Sequence, residues 1–261
     1  MSETDSCGDL DSPQPSMSTP IEGRYVTLER IVPAHIPLLF TGLGLPQNNH
    51  IFDWVTGFPY VQTEDDLSNY IFTYLRDHPD LTIYAVKACQ SRLGPPSPSD
   101  SHSHTSVLGI MGYRLHPASR TIKLDDIIYS PVLQHTYAST EAHQLLLRHL
   151  FEAQTIAYCR VWATINISNA KSRRHSERLG YTYEGTFRKD NVTRWGTSRD
   201  SACISMLDEE WPLNKRVLLN WLLLANFDAD GKQIRSLQEV RTLETRCFLD
   251  VVQHKAEILI A

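Results

Sequence analysis

Cysteine is scarce and scattered in this sequence. The 261 residues hold five, Cys7, Cys89, Cys159, Cys203 and Cys247, with no C-x-x-C pair. That odd, widely spaced set argues against a disulfide framework or a zinc knuckle and fits a reducing compartment. Long apolar runs are also missing. The longest, 217–227, is interrupted by Asn220 and Asn226 and is too short to span a bilayer, so no membrane contact is expected. There is no excess of positive charge either. The 25 Lys and Arg against 30 Asp and Glu leave a net charge of −5, which argues against a nucleic-acid partner. Residues 1–20, rich in Ser, Pro and Asp, contain no apolar leader-like stretch and read as a disordered tail on a cytoplasmic protein. His102-Ser103-His104 is a pair without a third ligand nearby, so no metal is expected.

What is present is ordered as strands and helices. The alternation over 24–31, ending at Pro33, reads as a strand running into a helix start. Residues 63–78 read as a helix with Thr63 as N-cap, acids in the first turn, and the stripe Leu67, Tyr70, Ile71, Tyr74 and Leu75. β-Branched and aromatic content marks strands at 81–89, 107–115 and 121–129, with a Pro/Ser/His loop expected to be mobile over 91–106. A helix over 139–154, a strand over 160–165, and a helix over 169–179 closed by Gly180 follow. Two more strands, 181–188 and 198–207, precede helices over 211–227 and 233–259. The pattern implies a three-layer α/β domain around a mixed, partly parallel sheet of six to seven strands. The expected division is a tail over 1–20, a domain over 21–211, and a C-terminal helical extension over 212–261. That extension packs on its own sheet or pairs with a second subunit.

One junction carries a chemical reading. The strand ending at Tyr129 passes through Ser130 and Pro131 into Gln134-His135-Thr136-Tyr137-Ala138-Ser139-Thr140-Glu141-Ala142 and a helix. The first amides of a helix lack intrahelical partners and sit at the positive end of its dipole. Small residues there admit an anion such as a pyrophosphate. The competing reading is a plain core helix, capped by Ser139 or Thr140, with Glu141 complementing the dipole.

Pro131-x-x-Gln134-x-x-Tyr137-x-Ser139 resembles the signature that precedes the CoA-binding helix of GNAT acetyltransferases. Ser139-Thr140-Glu141-Ala142 resembles the Ala-Thr-Glu-Ala of their ribosomal-protein-N-acetyltransferase branch. Downstream, Asn166-x-x-Asn169-x-x-Ser172, Glu177-Arg178-Leu179-Gly180-Tyr181, Glu184-Gly185-x-x-Arg188 and Arg199-Asp200 are similar to that branch in order and spacing. Trp221-Leu222, Asn226-Phe227 and Gly231-x-Gln233 resemble the tail of fungal members, so the likeness spans roughly 21–241. Tyr137 and Ser139 stand where the family usually has Gly and Gly or Ala.

The resemblance implies the GNAT fold and acetyl-CoA or another short acyl-CoA as co-substrate. It implies cofactor contacts from Tyr129, Gln134 to Thr140, Asn169 and Ser172. Acyl transfer needs a base for the amine, stabilisation of the oxyanion and a proton for the thiolate. The family's Glu before the pyrophosphate loop aligns with Lys123, which cannot be a base while protonated. Asp125, on the same strand face by alternation, is the leading replacement, with a structural pair to Lys123 as the alternative. Asp126 points the other way, and Asp190, in an expected loop, is held in reserve. Ser172 is the candidate proton donor to sulfur, and Asn169 is either a pantetheine contact or a helix cap. Trp54, Phe58, Lys123 and Glu184 are candidate acceptor contacts, with core packing the alternative for the two aromatics. The acceptor is expected to be a small-molecule amine, as in secondary metabolism, or a protein N-terminus. A scaffold that only binds acyl-CoA or a partner, or one that runs another reaction, stays open.

Overall fold

The computed structural model describes residues 19–88, 106–154, 156–229 and 232–260, with only the helix backbone over 249–260. Most of the expected tail and the 91–106 loop, with His102 and His104, lie outside the described residues.

Among the described residues eight strands form one sheet, one more than the upper expectation. They are β1 (Ile21–Glu22), β2 (Val26–Arg30), β3 (Leu81–Ala88), β4 (Ser106–His116), β5 (Thr121–Tyr129), β6 (Arg160–Asn166), β7 (Thr182–Val192) and β8 (Ser198–Leu207). Their order is β1-β2-β3-β4-β5-β6-β8-β7, antiparallel throughout except for β5 beside β6. The added strand, β1, is two residues long and gives no periodic signal.

Helices α1 (Ile36–Leu43) and α2 (Glu64–Asp77) cover one face, and α3 (Tyr137–Glu152), α4 (Ala170–Leu179), α5 (Trp211–Leu222) and α6 (Leu237–Ile260) follow later in the chain. Thr63 caps α2 as expected, its Oγ1 accepting the Asp66 amide at 3.1 Å while Asp66 accepts the Thr63 amide at 2.9 Å. Strands β3 and β4 are buried on both faces. Leu81, Ile83 and Ala85 pack with Leu39, Leu67 and Ile71 under α1 and α2. Tyr84, Val86 and Ala88 pack with Leu145, Leu146 and Leu150 of α3. Both faces are therefore apolar, as expected of a sheet covered by helices on two sides.

The C-terminal helices pack on their own chain. Trp211, Val217, Leu218, Trp221, Leu237 and Val240 belong to the α3-side core. The Trp211 indole also donates to Glu152 Oε1 of α3 at 2.6 Å. Among the described residues no helix is long and apolar enough to cross a membrane.

Candidate functional site

β5 and β6 run side by side only briefly. Thr121, Ile122 and Lys123 pair with Arg160, Val161 and Trp162, and no pairing between them continues beyond. The strands part, and a cavity of about 1350 Å³ occupies the opening. Its walls come from β5, β6, α4, the turn before α3, the segment after α1 and the C-terminal region.

The β5 wall departs from regular alternation. Gly112 pairs with Asp125 and Ile110 with Ile128, so Asp126 and Ile127 together face Met111 in a bulge. Asp126 takes a left-handed φ of 42°. A Cβ at Gly112 would come within 2.8 Å of the Asp125 carbonyl oxygen, so glycine there lets the bulged strand approach. The expectation that Asp126 points opposite to Asp125 is corrected on this account, since the bulge resets the facing and both residues line the cavity.

The two carboxylates live in different environments. Asp125 Oδ2 accepts from Arg114 Nε at 2.7 Å. Arg114 also donates to the Tyr74 hydroxyl at 2.7 Å and lies 3.5 Å from Asp80. The structural partner of Asp125 is therefore Arg114 and not Lys123, whose ammonium sits 5.7 Å from the Trp162 ring centroid. Asp126 Oδ2 is buried without a hydrogen bond. Burial pushes its carboxyl up to about 7; the Asp125 charge adds to the rise, while Arg114 and Lys123 oppose it.

Opposite this wall, Arg199 of β8 holds the segment after α1. Its Nη1 donates to the Trp54 carbonyl oxygen at 3.1 Å and to Thr56 Oγ1 at 2.8 Å. Arg194 lies over the Tyr60 ring at 4.4 Å and 3.6 Å from Asp53. Trp54 lines the cavity. Phe58 does not: it is buried, stacked 3.9 Å from Phe52 and tilted 4.0 Å from Tyr70, so its candidacy as an acceptor contact is corrected to core packing.

The other end of the cavity is the turn before α3. The amides of Leu133 and Gln134 close on the Ser130 carbonyl, and His135 takes φ 61°. α3 starts two residues earlier than expected, with Thr136 as its cap. Thr136 Oγ1 accepts the Ser139 amide at 3.2 Å and donates to the Leu133 carbonyl at 2.7 Å. Ser139 Oγ donates back to the Thr136 carbonyl and is no cap. Among the described residues no hydrogen bond engages the amides of His135, Thr136 or Ala138. Gln134, His135, Thr136, Tyr137 and Ser139 line the cavity.

The Tyr137 ring, at the position where the resembled motif has glycine, packs 4.6 Å from Tyr25 and 5.4 Å from Phe227. Ala138 and Thr140 are fully buried and do not line the cavity, so a side-chain contact from either to a cofactor is corrected. Helical periodicity turns them inward, and Thr140 Oγ1 accepts from Arg178 at 2.7 Å. Glu141 accepts the amides of Arg24, Tyr25 and Val26 at 2.6–2.9 Å, pinning α3 to the start of β2.

α4 supplies Asn169, Ser172 and His175 to the cavity. Asn169 Oδ1 accepts the Ser172 amide at 3.1 Å, so it caps α4 while facing the cleft. The buried ring of His143 lies 5.1 Å from that of His175 and 2.9 Å from the Tyr129 hydroxyl through Nδ1. Burial lowers His143 to about 3 and His175 to about 4, so both are neutral near pH 7.

Two further candidates fall outside the cleft. Glu184 accepts from Ser205 Oγ at 2.7 Å and pairs with Arg160, whose hydrogen bond holds its carboxyl down to about 2. Asp190 lies within β7, which runs on to Val192, and not in a loop; Lys189 at φ 51° and the irregular register let the strand continue. Neither lines the cavity. Sequence reasoning gave no site role to Arg114, Tyr74 or the two histidines, and named Arg199 only as a motif position. Gly109 and Gly112 inside an apolar strand were the available sign of the bulge.

A mixed sheet whose two parallel strands part beside a helix N-terminus is shared with solved N-acetyltransferases. The family follows from the comparisons: the model described as an acetyltransferase (GNAT) domain matches residues 26–182, and the chain belongs to the GNAT family. A GCN5-related N-acetyltransferase from Brucella melitensis is 30% identical, with a TM-score of 0.74 over 88% of this chain and 97% of that one. A probable GNAT-family acetyltransferase from Chromobacterium violaceum is 27% identical, with a TM-score of 0.63 over 81% and 94%. A spermidine N-acetyltransferase from Vibrio cholerae, solved with CoA and spermine, shares the fold at 15% identity, with a TM-score of 0.53 over 72% and 98%. No protein of curated function matches the chain significantly.

Proposed function

We propose that this enzyme transfers a short acyl group, acetyl first among them, from acyl-CoA to the amine of a small molecule, with Asp126 as the base. The observation that carries this reading is a cavity running from the open amides before α3 to a carboxyl poised near neutral pH. The amides of His135, Thr136 and Ala138 and the α3 dipole suit the diphosphate of CoA, with Gln134 and Asn169 alongside. The co-substrate supplies an acyl carbon already activated as a thioester.

Asp126 accepts a proton from the acceptor ammonium, freeing its lone pair. A new N–C bond then replaces the C–S bond, and the departing sulfur takes a proton. Ser172 and the neutral His175 face the cleft from α4 and can steady that sulfur by hydrogen bonding. Among the described residues no cysteine lines the cavity, which favours direct attack over an acyl-enzyme. The Arg194 and Arg199 contacts draw the segment after α1 toward the β7–β8 hairpin, which favours a small acceptor over a polypeptide. A site of this design also keeps the ribosomal-protein branch and a fungal-type secondary-metabolic role in view, on the sequence motifs alone.

The test is acetyl-CoA with a panel of amines, followed by thiol release, for wild type and Asp126→Asn. Thiol release dependent on an amine and on Asp126 supports the proposal; tight CoA binding with no release on any amine contradicts it.

A further inference from the structure

We propose that the acceptor is an amine that also carries an anionic group such as a carboxylate, with the anion held by Lys123. This rests on the reading above, in which Asp126 meets the amine. The argument is an accounting of charge in the acceptor half of the cavity. Arg114 is taken by Asp125, Asp80 and the Tyr74 hydroxyl. Arg199 is taken by Ser201 Oγ, Thr56 Oγ1 and the Trp54 carbonyl. Two charged groups of β5 are left. Asp126 has a buried oxygen with no hydrogen bond. Lys123 lines the same cavity and, among the described residues, makes no ion pair within bonding distance; it rests only near the Trp162 ring.

A carboxyl with a bond-free oxygen and an ammonium without a bonded partner, three positions apart and acting on each other only through space, suit a ligand with the opposite pair of charges. An amine alone would satisfy Asp126 and leave Lys123 unused. A zwitterionic amine engages both, and the charge-assisted bond to Lys123 adds affinity and fixes which end meets the thioester. Three strand positions span roughly 10 Å, less at a bulge, and the four-carbon lysine arm shortens the gap further. The ammonium and carboxylate of an amino acid are thus fittingly spaced, in a cavity of about 1350 Å³.

The experiment uses the full chain, acetyl-CoA, and matched amines that differ by one carboxylate: tyrosine with tyramine, tryptophan with tryptamine, lysine with cadaverine. The expected result is a KM at least about 10-fold lower for the carboxylated member of the productive pair. Lys123→Met is expected to bring that ratio close to one, and Lys123→Arg to restore most of it. If wild type acylates both members equally or favours the decarboxylated one, or if Lys123→Met keeps the ratio, the inference is overturned while the acyltransfer reading stands. If acetyl-CoA binds but no amine of either kind is acylated, both fall together.

Discussion

The two ends of the cavity are built from different materials. At the α3 end the polar work falls to backbone amides, a capping threonine and two histidines kept neutral by burial. At the β5 end it falls to charged side chains, two of them adjacent aspartates with unlike fates. Asp125 is locked to Arg114, whereas Asp126 is pushed into the bulge with one oxygen unsatisfied. The difference teaches that an anion-binding end needs only chain direction and small residues. A proton-transfer end needs a carboxyl held away from its ordinary range, and here a single extra residue in a strand provides it.

The sharpest way to break this contrast is to neutralise each aspartate in turn. Asp126→Asn is expected to lower kcat by about 10²- to 10⁴-fold, the usual scale for losing a positioned base, as read by thiol release at pH 8. It is also expected to raise stability at that pH. A carboxyl whose folded value is raised costs stability progressively as pH climbs from its unfolded value to about 7, the cost levelling off above that, and the amide carries no such cost. Asp125→Asn should do the reverse. Loss of the Arg114 partner is expected to cost about 2–4 kcal/mol in denaturant unfolding, with a smaller effect on kcat. Equal catalytic losses from both substitutions would erase the distinction between the two carboxylates.

At the other end, Tyr137→Gly introduces the residue of the resembled motif but removes a ring packed on Tyr25 and Phe227. The expected outcome is a loss of about 3 kcal/mol in stability with no tighter CoA binding. Tighter binding would mean that Tyr137 obstructs the turn. Thr136→Ala is the mildest change. It should cost about 1 kcal/mol as a lost helix cap and weaken CoA binding a few-fold by calorimetry.

The α3 end was largely legible in the sequence, because a strand, a short loop and an amphipathic helix leave local signals. Even there, the start of α3 shifted from Ser139 to Tyr137, since Thr136 caps equally well and lies nearer the turn. The β5 end was legible only as two aspartates in a strand. Regular alternation sorted them to opposite faces, and the bulge undid the sorting. The partner of Asp125 comes from the neighbouring strand β4, where the bulge decides which residue it meets, and the ties to Trp54 and Thr56 come from distant β8 with no local signature. Phe58, Glu184 and Asp190 were grouped by residue type or motif position, and the packing places them elsewhere.

The claim on which the rest depends is that Asp126 takes the proton. The direct measurement is the pH dependence of kcat/KM for a productive amine, in wild type and in Asp126→Asn. The account predicts a wild-type rate that climbs with pH through an apparent pKa near 7 as the carboxyl ionises, with that limb absent in Asp126→Asn. An unchanged limb in Asp126→Asn would assign the proton transfer to another group and contradict the account.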